Sequence, residues 1–235
     1  MSIEVTYLKH SGFSVRTDRH QLLFDYIGGG FVRDPGVPAI AFASHVHQDH
    51  YTPAIAGLAD ACVLGEGIEP FDGARMMKPG DAISIGDVRI RAFGSTDCGV
   101  SFYVNADGYN IFHAGDLNFW HWRQESSDAE VREALDGFNA VISTLDGLPV
   151  DLAFFPVDAR MGEGHDEGAD RYIERIHPKV LIPMHWWGKA EVARAFADKH
   201  AGEATRVIAL TETGERVQLF QRRCDLCSSP SITPT

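Results

Sequence analysis

The chain has 235 residues, 44% hydrophobic and 23% charged, which suffices to bury a core in one globular domain and excludes a disordered segment. Twenty-one Lys and Arg against 33 Asp and Glu give a formal charge of −12, which argues against a sequence-blind grip on a phosphate backbone. Four cysteines, Cys62, Cys98, Cys224 and Cys227, are too few and too scattered for a disulfide framework, so a reducing, cytoplasmic setting is expected.

In chain order, Ile3, Val5 and Tyr7 alternate with polar residues, and no basic stretch precedes an apolar run, so no signal peptide is expected. Nowhere do about eighteen apolar residues run together, and no membrane span is expected either. Further strands are expected over 12–16 and 21–25, the latter an apolar run ending in Asp25. Gly28, Gly29, Gly30, Pro35, Gly36 and Pro38 mark residues 26–38 as a loop. Residues 39–43 read as a buried strand and 53–59 as a short helix with Pro53 in its first turn. Strands follow over 83–85, 88–92, 100–104 and 109–112, the last two joined by an Ala106-Asp107-Gly108 hairpin turn. Ser127 and Glu130 form a capping box for a helix to Leu135, with Val131, Ala134 and Leu135 as its apolar stripe. A strand over 152–155, a helix over 169–176 stopped by Pro178, a strand over 180–182 and a helix over 191–197 come next. Residues 207–210 and 216–220 close the set. This order predicts two sheets packed face to face with helices outside. Residues 1–221 read as one domain. The tail, 222–235, shifts to small polar residues and proline and is expected to be disordered; its Cys224-x-x-Cys227 has no second CxxC to complete a zinc ribbon.

Three of the eleven histidines fall in Ser44-His45-Val46-His47-Gln48-Asp49-His50, at the carboxyl end of the strand over 39–43, where ligands gather in layered α/β folds. Four ligand-type side chains on one turn can converge on metal. Imidazole suits zinc, or iron and manganese when carboxylates join, and a paired Asp-His lets one turn serve two neighbouring ions. A polar turn with structural histidines is the plain alternative.

With this motif the chain resembles the metallo-β-lactamase superfamily. The H-x-H-x-D-H signature is His45-x-His47-x-Asp49-His50. Asp25 closes the preceding apolar strand, His113-Ala114-Gly115-Asp116 is similar to the strand-terminal G-D, and Pro183-Met184-His185 to the late P-x-H. The order is that of the family, nearly to Phe220. The resemblance implies an α/β fold, a four-layer αββα sandwich with a metal site at the sheet edge. It implies His45 and His47 on one ion, Asp49, His50 and His185 on a second, and Asp116 bridging them. The family usually supplies a third histidine to the first ion, yet none occurs here between His50 and His113. Gly94-Ser95-Thr96-Asp97-Cys98-Gly99 stands in that place; Asp97 is the expected substitute, as a competent oxygen ligand, and Cys98 the second choice.

Two divalent ions, zinc first with manganese or iron as alternatives, would lower the pKa of a bridging water from about 15.7 towards 7 and polarise the oxygen under attack. The expected function is therefore metal-dependent hydrolysis of an ester, lactone or phosphodiester bond of a small molecule, most like a lactonase-like branch of the superfamily. Asp49 is expected to orient the nucleophile and shuttle its proton as well as binding metal. His165, in a glycine-rich loop after the strand over 152–155, is expected to be catalytic, as a general acid, a substrate contact or a further ligand. His121 either lines the pocket or packs, as do Trp186 and Trp187; His113 reads as buried and structural, and His10, His20, His177 and His200 as surface or structural. The alternative is a metal-binding or ligand-sensing module with reduced turnover, motivated by the missing histidine. Expected partners are a small-molecule substrate, no nucleic acid and no membrane, with a homo-oligomer left open.

Overall fold

The computed structural model describes residues 2–220; the tail over 222–235, with its Cys224-x-x-Cys227, lies outside the described residues. The first sheet draws on β1 (Ile3–Lys9), β2 (Gly12–Arg16), β3 (Gln21–Phe24), β4 (Ala39–Ala43), β5 (Ala61–Gly65) and β6 (Arg75–Met77). The second draws on β7 (Ala82–Ile85), β8 (Val88–Phe93), β9 (Ser101–Ala106) and β10 (Tyr109–His113). After helix α1 (Asp128–Ser143) come β11 (Leu152–Pro156), α2 (Glu167–Ile176), β12 (Val180–Met184), α3 (Ala190–Lys199), β13 (Arg206–Val207) and β14 (Arg216–Leu219). The two seven-stranded sheets have the orders β14-β1-β2-β3-β4-β5-β6 and β13-β12-β11-β10-β9-β8-β7. Each is antiparallel on one side and parallel on the other, with the change at β3 and at β10.

Side chains alternating along each strand divide the apolar residues between two layers. Phe13, Val15, Leu22, Phe24, Ile40 and Phe42 face the second sheet, while Leu23, Ala41, Ala43 and Leu64 face outward. Between the sheets Phe13 stacks on Phe154 at 4.2 Å and Phe42 meets Phe102 at 5.4 Å. The outer face of the second sheet is covered by helices: Phe138 of α1 meets Phe155, Tyr172 of α2 stacks on Phe112 and Phe155, and α3 buries Phe196 beside β12. Among the described residues the outer face of the first sheet is covered differently, by Ile55 of a 3₁₀ turn (Pro53–Gly57), Ile68, and the loop residues Tyr26 and Phe31.

The element order matches the sequence reading, with local differences. The helix expected over 53–59 is that 3₁₀ turn, opened by the Thr52 side chain. Helix α1 begins at the Ser127–Glu130 capping box but runs eight residues beyond Leu135, because its stripe continues at Phe138 and Ile142 across Gly137. Strands β5 and β6 were not anticipated: Ala61–Gly65 is a short unbroken apolar run and Arg75–Met77 a three-residue edge, neither of which alternates. Among the described residues no helix is long and apolar enough to cross a membrane.

Candidate metal centre

One edge of the sandwich collects the chemistry. Strands β1, β3 and β4 run the same way in the first sheet, as do β8, β10, β11 and β12 in the second, so their carboxyl ends emerge together. His10 follows β1, Asp25 follows β3, and the His45–His50 turn follows β4. From the other sheet Asp97 and Cys98 follow β8, Asp116 follows β10, Asp158 and Arg160 follow β11, and His185 follows β12.

The β4 turn is pressed into place by backbone contact. The Ser44 carbonyl accepts from the Val100 amide at 3.1 Å. Gly99 lies so close that a Cβ there would sit 2.2 Å from the Ser44 oxygen, and its φ of +72° lies in the left-handed region that favours glycine. Among the described residues five of the eight non-glycine residues with positive φ lie at this edge: His10, Asp25, Trp122, His185 and Trp187. Such strain persists only where the surrounding structure imposes it, and it concentrates at functional sites.

Each principal imidazole is held by one nitrogen and leaves the other bare. His50 Nδ1 lies 2.7 Å from Asp25 Oδ2, and His185 Nδ1 lies 3.1 Å from Asp158 Oδ2. Ser44 Oγ donates to Asp25 at 2.7 Å and so accepts from His45 Nδ1 at 2.9 Å. With Nδ1 engaged in each ring, the three Nε2 atoms are left to converge on Asp116. That carboxylate sends Oδ1 to 3.0 Å from His50 Nε2 and 3.3 Å from His185 Nε2, and Oδ2 to 3.3 Å from His45 Nε2. Asp49 Oδ2 lies 3.4 Å from His10 Nε2, 3.7 Å from His185 Nε2 and 3.9 Å from His50 Nε2. On the open side His47 Nδ1 is 3.9 Å from Asp97 Oδ2, and Cys98 Sγ is 3.9 Å from the same ring.

The electrostatics favour a cation. Burial disfavours charge on Asp116, but His50, His45 and His185 hold its carboxyl well below the usual range. The His10 contact, with help from His50, holds Asp49 far down as well. For His50, burial works against the charged form, yet Asp116 and Asp25 on either side push its pKa up to about 10. Among the described residues ten buried side-chain polar atoms lack a hydrogen-bond partner, and five of them meet here: Nε2 of His10, His45, His50 and His185, and Oδ1 of Asp116. Unpaired buried polar atoms are costly, so a cluster of them aimed at one another fits a divalent ion that takes their lone pairs. The Nδ1 partners supply the carboxylate–histidine support typical of ligating imidazoles.

Of the residues expected from sequence, His45, His47, Asp49, His50, Asp116 and His185 are brought together, with Asp97 at the rim. His165 is not. Its Nδ1 donates to the Gly162 carbonyl at 3.1 Å, and the same loop delivers Arg160 to the cleft instead. His121 packs: it is buried, donating from Nε2 to the Gly164 carbonyl at 2.9 Å, while Trp120 and Trp122 beside it line the cleft. Trp186 is core and Trp187 a cleft wall. His113 is structural as expected, fully buried with Nε2 donating to the Ser11 carbonyl at 2.9 Å. His10, expected at the surface or in a structural role, instead has its ring 4.2 Å from that of His185. Asp158 and Arg160 were also missed, as was the role of Asp25 as a partner of His50. The signal that finds them is position, since each follows the carboxyl end of a strand that emerges at this edge.

The cleft over the cluster has a volume of about 550 Å³. Three tryptophans, Trp120, Trp122 and Trp187, form its walls, and Arg160 lies over the Trp187 ring at 4.2 Å while pairing with Asp158. His185 and Arg160 bring the Asp158 pKa down to about 2 against the opposing effect of burial.

Comparison with known proteins gives a consistent set of likenesses. A family model described as "Beta-lactamase superfamily domain" matches residues 4–131. A UPF0173 metal-dependent hydrolase of Symbiobacterium thermophilum is 30% identical over 214 residues, spanning 78% of this chain and 84% of that protein. One from Opitutus terrae is 27% identical over 254 residues, spanning 92% and 100%. Among solved structures, Igni18, a metallo hydrolase from Ignicoccus hospitalis, is similar with a TM-score of 0.66 at 16% identity, over 94% of this chain and all of that one. The metallo-β-lactamase fold protein YhfI from Bacillus subtilis gives 0.61 at 13%, over 92% and 99%. At such identities the structural likeness speaks for the fold.

Proposed function

The chain belongs to the metallo-β-lactamase superfamily, and from that premise we propose that it is a metal-dependent hydrolase whose reaction takes place in the tryptophan-walled cleft above Asp116. The observation that carries the reading is the convergence of five unpartnered buried donor atoms, with the two oxygens of Asp116 turned to different imidazoles. That arrangement suits a pair of ions. His45 and His47 would hold one together with Asp97, Asp49, His50 and His185 would hold the other, and Asp116 would bridge. Cys98 is the alternative donor, since its Sγ falls in one group with His45 and His47 while Asp97 falls in one with His47 and Asp116; burial and the neighbouring Asp97 and Asp116 push the metal-free thiol up to about 11, so binding there would have to displace its proton. Zinc suits the imidazole-rich set, with manganese or iron as alternatives favoured by the carboxylates.

Bound divalent ions supply Lewis acidity towards the scissile carbonyl or phosphoryl group and acidify water at neutral pH. The protein side chains do the rest. Asp49, held as a carboxylate and bordering the cleft, turns Oδ2 to the histidines and leaves its other oxygen to orient the attacking water and accept its proton. Asp25 and Asp158 keep the His50 and His185 rings aimed inward. Trp120, Trp122 and Trp187 exclude water and offer flat apolar contact, and Arg160 offers a cation to the substrate's oxygen atoms. A small ester, lactone or phosphodiester fits this chemistry.

The test is to measure metal per chain on the purified protein, then hydrolysis of a panel of lactones, carboxyl esters and phosphodiesters, with Asp116→Ala alongside. Metal-dependent turnover of at least one class, reduced by roughly a hundredfold or more in the variant, is expected. Full metal occupancy with no hydrolysis across the panel would favour the metal-binding or sensing module instead.

A further inference from the structure

Resting on that reading, we propose that His10 is a direct protein ligand of the second ion, making the centre asymmetric. One position is closed and tightly held by His10, Asp49, His50 and His185; the other is open and exchangeable, held by His45, His47 and Asp97.

The argument starts from edge lengths. Four donors about 2.0–2.1 Å from a zinc ion in a tetrahedron lie about 3.3–3.4 Å from one another. Asp49 Oδ2 has three such neighbours, His10 Nε2 at 3.4 Å, His185 Nε2 at 3.7 Å and His50 Nε2 at 3.9 Å, and all four ligand atoms lie within 4.8 Å of one another. The spacing is that of one coordination sphere, slightly expanded, to which Asp116 Oδ1, 3.0 Å from His50 Nε2 and 3.3 Å from His185 Nε2, would add the bridging donor. His10 is the nearest of the three. Its side chain is only 8% exposed, and Nε2 has no hydrogen-bond partner of good geometry. The ring closes on the others, 4.2 Å from His185 and 5.6 Å edge-on to His50 between centroids, with Trp187 at 4.7 Å behind it. The backbone aims it there: His10 takes φ +56° in the β1–β2 turn, and its amide donates to Tyr7 Oη at 2.9 Å. A strained turn holding a buried imidazole with a bare nitrogen beside three donors has the properties of a ligand.

The second half of the proposal follows from exposure. At the other position the His47 and Asp97 side chains are 50% and 48% exposed and border the cleft. Structural metal sites are closed by protein donors, whereas catalytic ones keep a place open. The exchangeable ion is therefore the one beside the substrate, and the closed position anchors it through Asp116.

The experiment is a Co(II) titration of the metal-free protein, following the ligand-field bands, for wild type, His10→Asn and His10→Glu. Asn tolerates the left-handed backbone but cannot reach the ion; Glu restores a donor of similar reach. The wild type is expected to fill in two steps. His10→Asn should weaken the first step by about tenfold or more and change the one-equivalent spectrum, leaving the second step within about twofold. His10→Glu should recover most of the affinity with a spectrum of its own. An unchanged one-equivalent spectrum in His10→Asn overturns the proposal even if affinity falls, because it leaves His10 as an outer partner of Asp49. Should the Asn variant fail to fold, the Glu variant decides alone, since exchanging a ligating imidazole for a carboxylate must move the bands. A wild-type protein that binds no Co(II) would instead remove the proposed function itself.

Discussion

His50 is set by two acids, one on each ring nitrogen, and the pair explains how a single imidazole becomes a directed donor. Asp25, fully buried, takes Nδ1 together with the Ser44 amide and hydroxyl, so Nε2 alone faces Asp116. Replacing Asp25 by Asn keeps the shape and loses the charge that fixes this tautomer. Metal affinity is expected to fall about 10–100-fold by chelator competition; unchanged affinity would mean that the ring is held by packing. Asp97 and Cys98 can be separated in the same way. Asp97→Ala should lower the stoichiometry or affinity of the more exposed ion, whereas Cys98→Ser should leave both nearly as they are, and the reverse pattern would hand the position to the thiol. At this scale the six residues of the H-x-H-x-D-H, G-D and P-x-H motifs were readable because motif spacing is local. His10 and Asp158 were not, since a lone His or Asp at a strand end acquires meaning only from the strands beside it. The loop of His165 reaches the cleft through Arg160, and the His165 side chain is not among those lining it.

The working unit at the level of elements is the strand end. Seven strands of two sheets deliver their carboxyl ends to one edge, and the β4 turn fits there only because neighbouring backbone can approach it. Gly99 is one such point, with room for no Cβ beside the Ser44 carbonyl and the His45 Cβ. Gly99→Ala is expected to cost on the order of 2–4 kcal/mol, from the left-handed backbone and the displaced turn, lowering Tm by roughly 5–15 °C. Metal content should fall with it, because His45 moves; a variant with wild-type melting and metal content would refute the contact argument. Alternation and punctuation located most strands and all three helices. They failed at β5 and β6, where short stretches without period 2 are stabilised by pairing with neighbours, and at the far end of α1, where packing against β11 carries the helix past Gly137.

For the whole molecule, the sandwich is fastened at the edge remote from the cleft. Asp107, in the β9–β10 turn, accepts from Thr17 Oγ1 at 2.7 Å and from the Arg19 amide at 2.8 Å, and meets His20 Nδ1 at 3.1 Å, all in the turn between β2 and β3. These partners overcome the effect of burial and bring its pKa down to about 2 from the usual 3.8. A carboxyl depressed in the folded state contributes stability that is present above its unfolded value and is lost as pH falls through the folded one. Asp107→Ala is therefore expected to lower Tm at pH 7 by the loss of about 1–3 kcal/mol of buried hydrogen bonding. The difference from wild type should shrink between about pH 4 and pH 2, with metal affinity at pH 7 unchanged; a gap in Tm that stays constant across that range would rule out this linkage.

What the sequence determined by itself was local: strand and turn positions, the capping box, and the donors of the signature turn, because these depend on neighbours a few residues away. The tertiary structure decided which distant strand ends meet, and so that Asp25 holds His50, Asp158 holds His185 and His10 packs against both rings, while His165 is not among the residues lining the cleft. Residues 10 and 49 are brought together by the strand order of the first sheet, and residue 185 joins them only because the second sheet packs face to face on it. No periodicity in a single chain encodes the separation at which those edges are brought together.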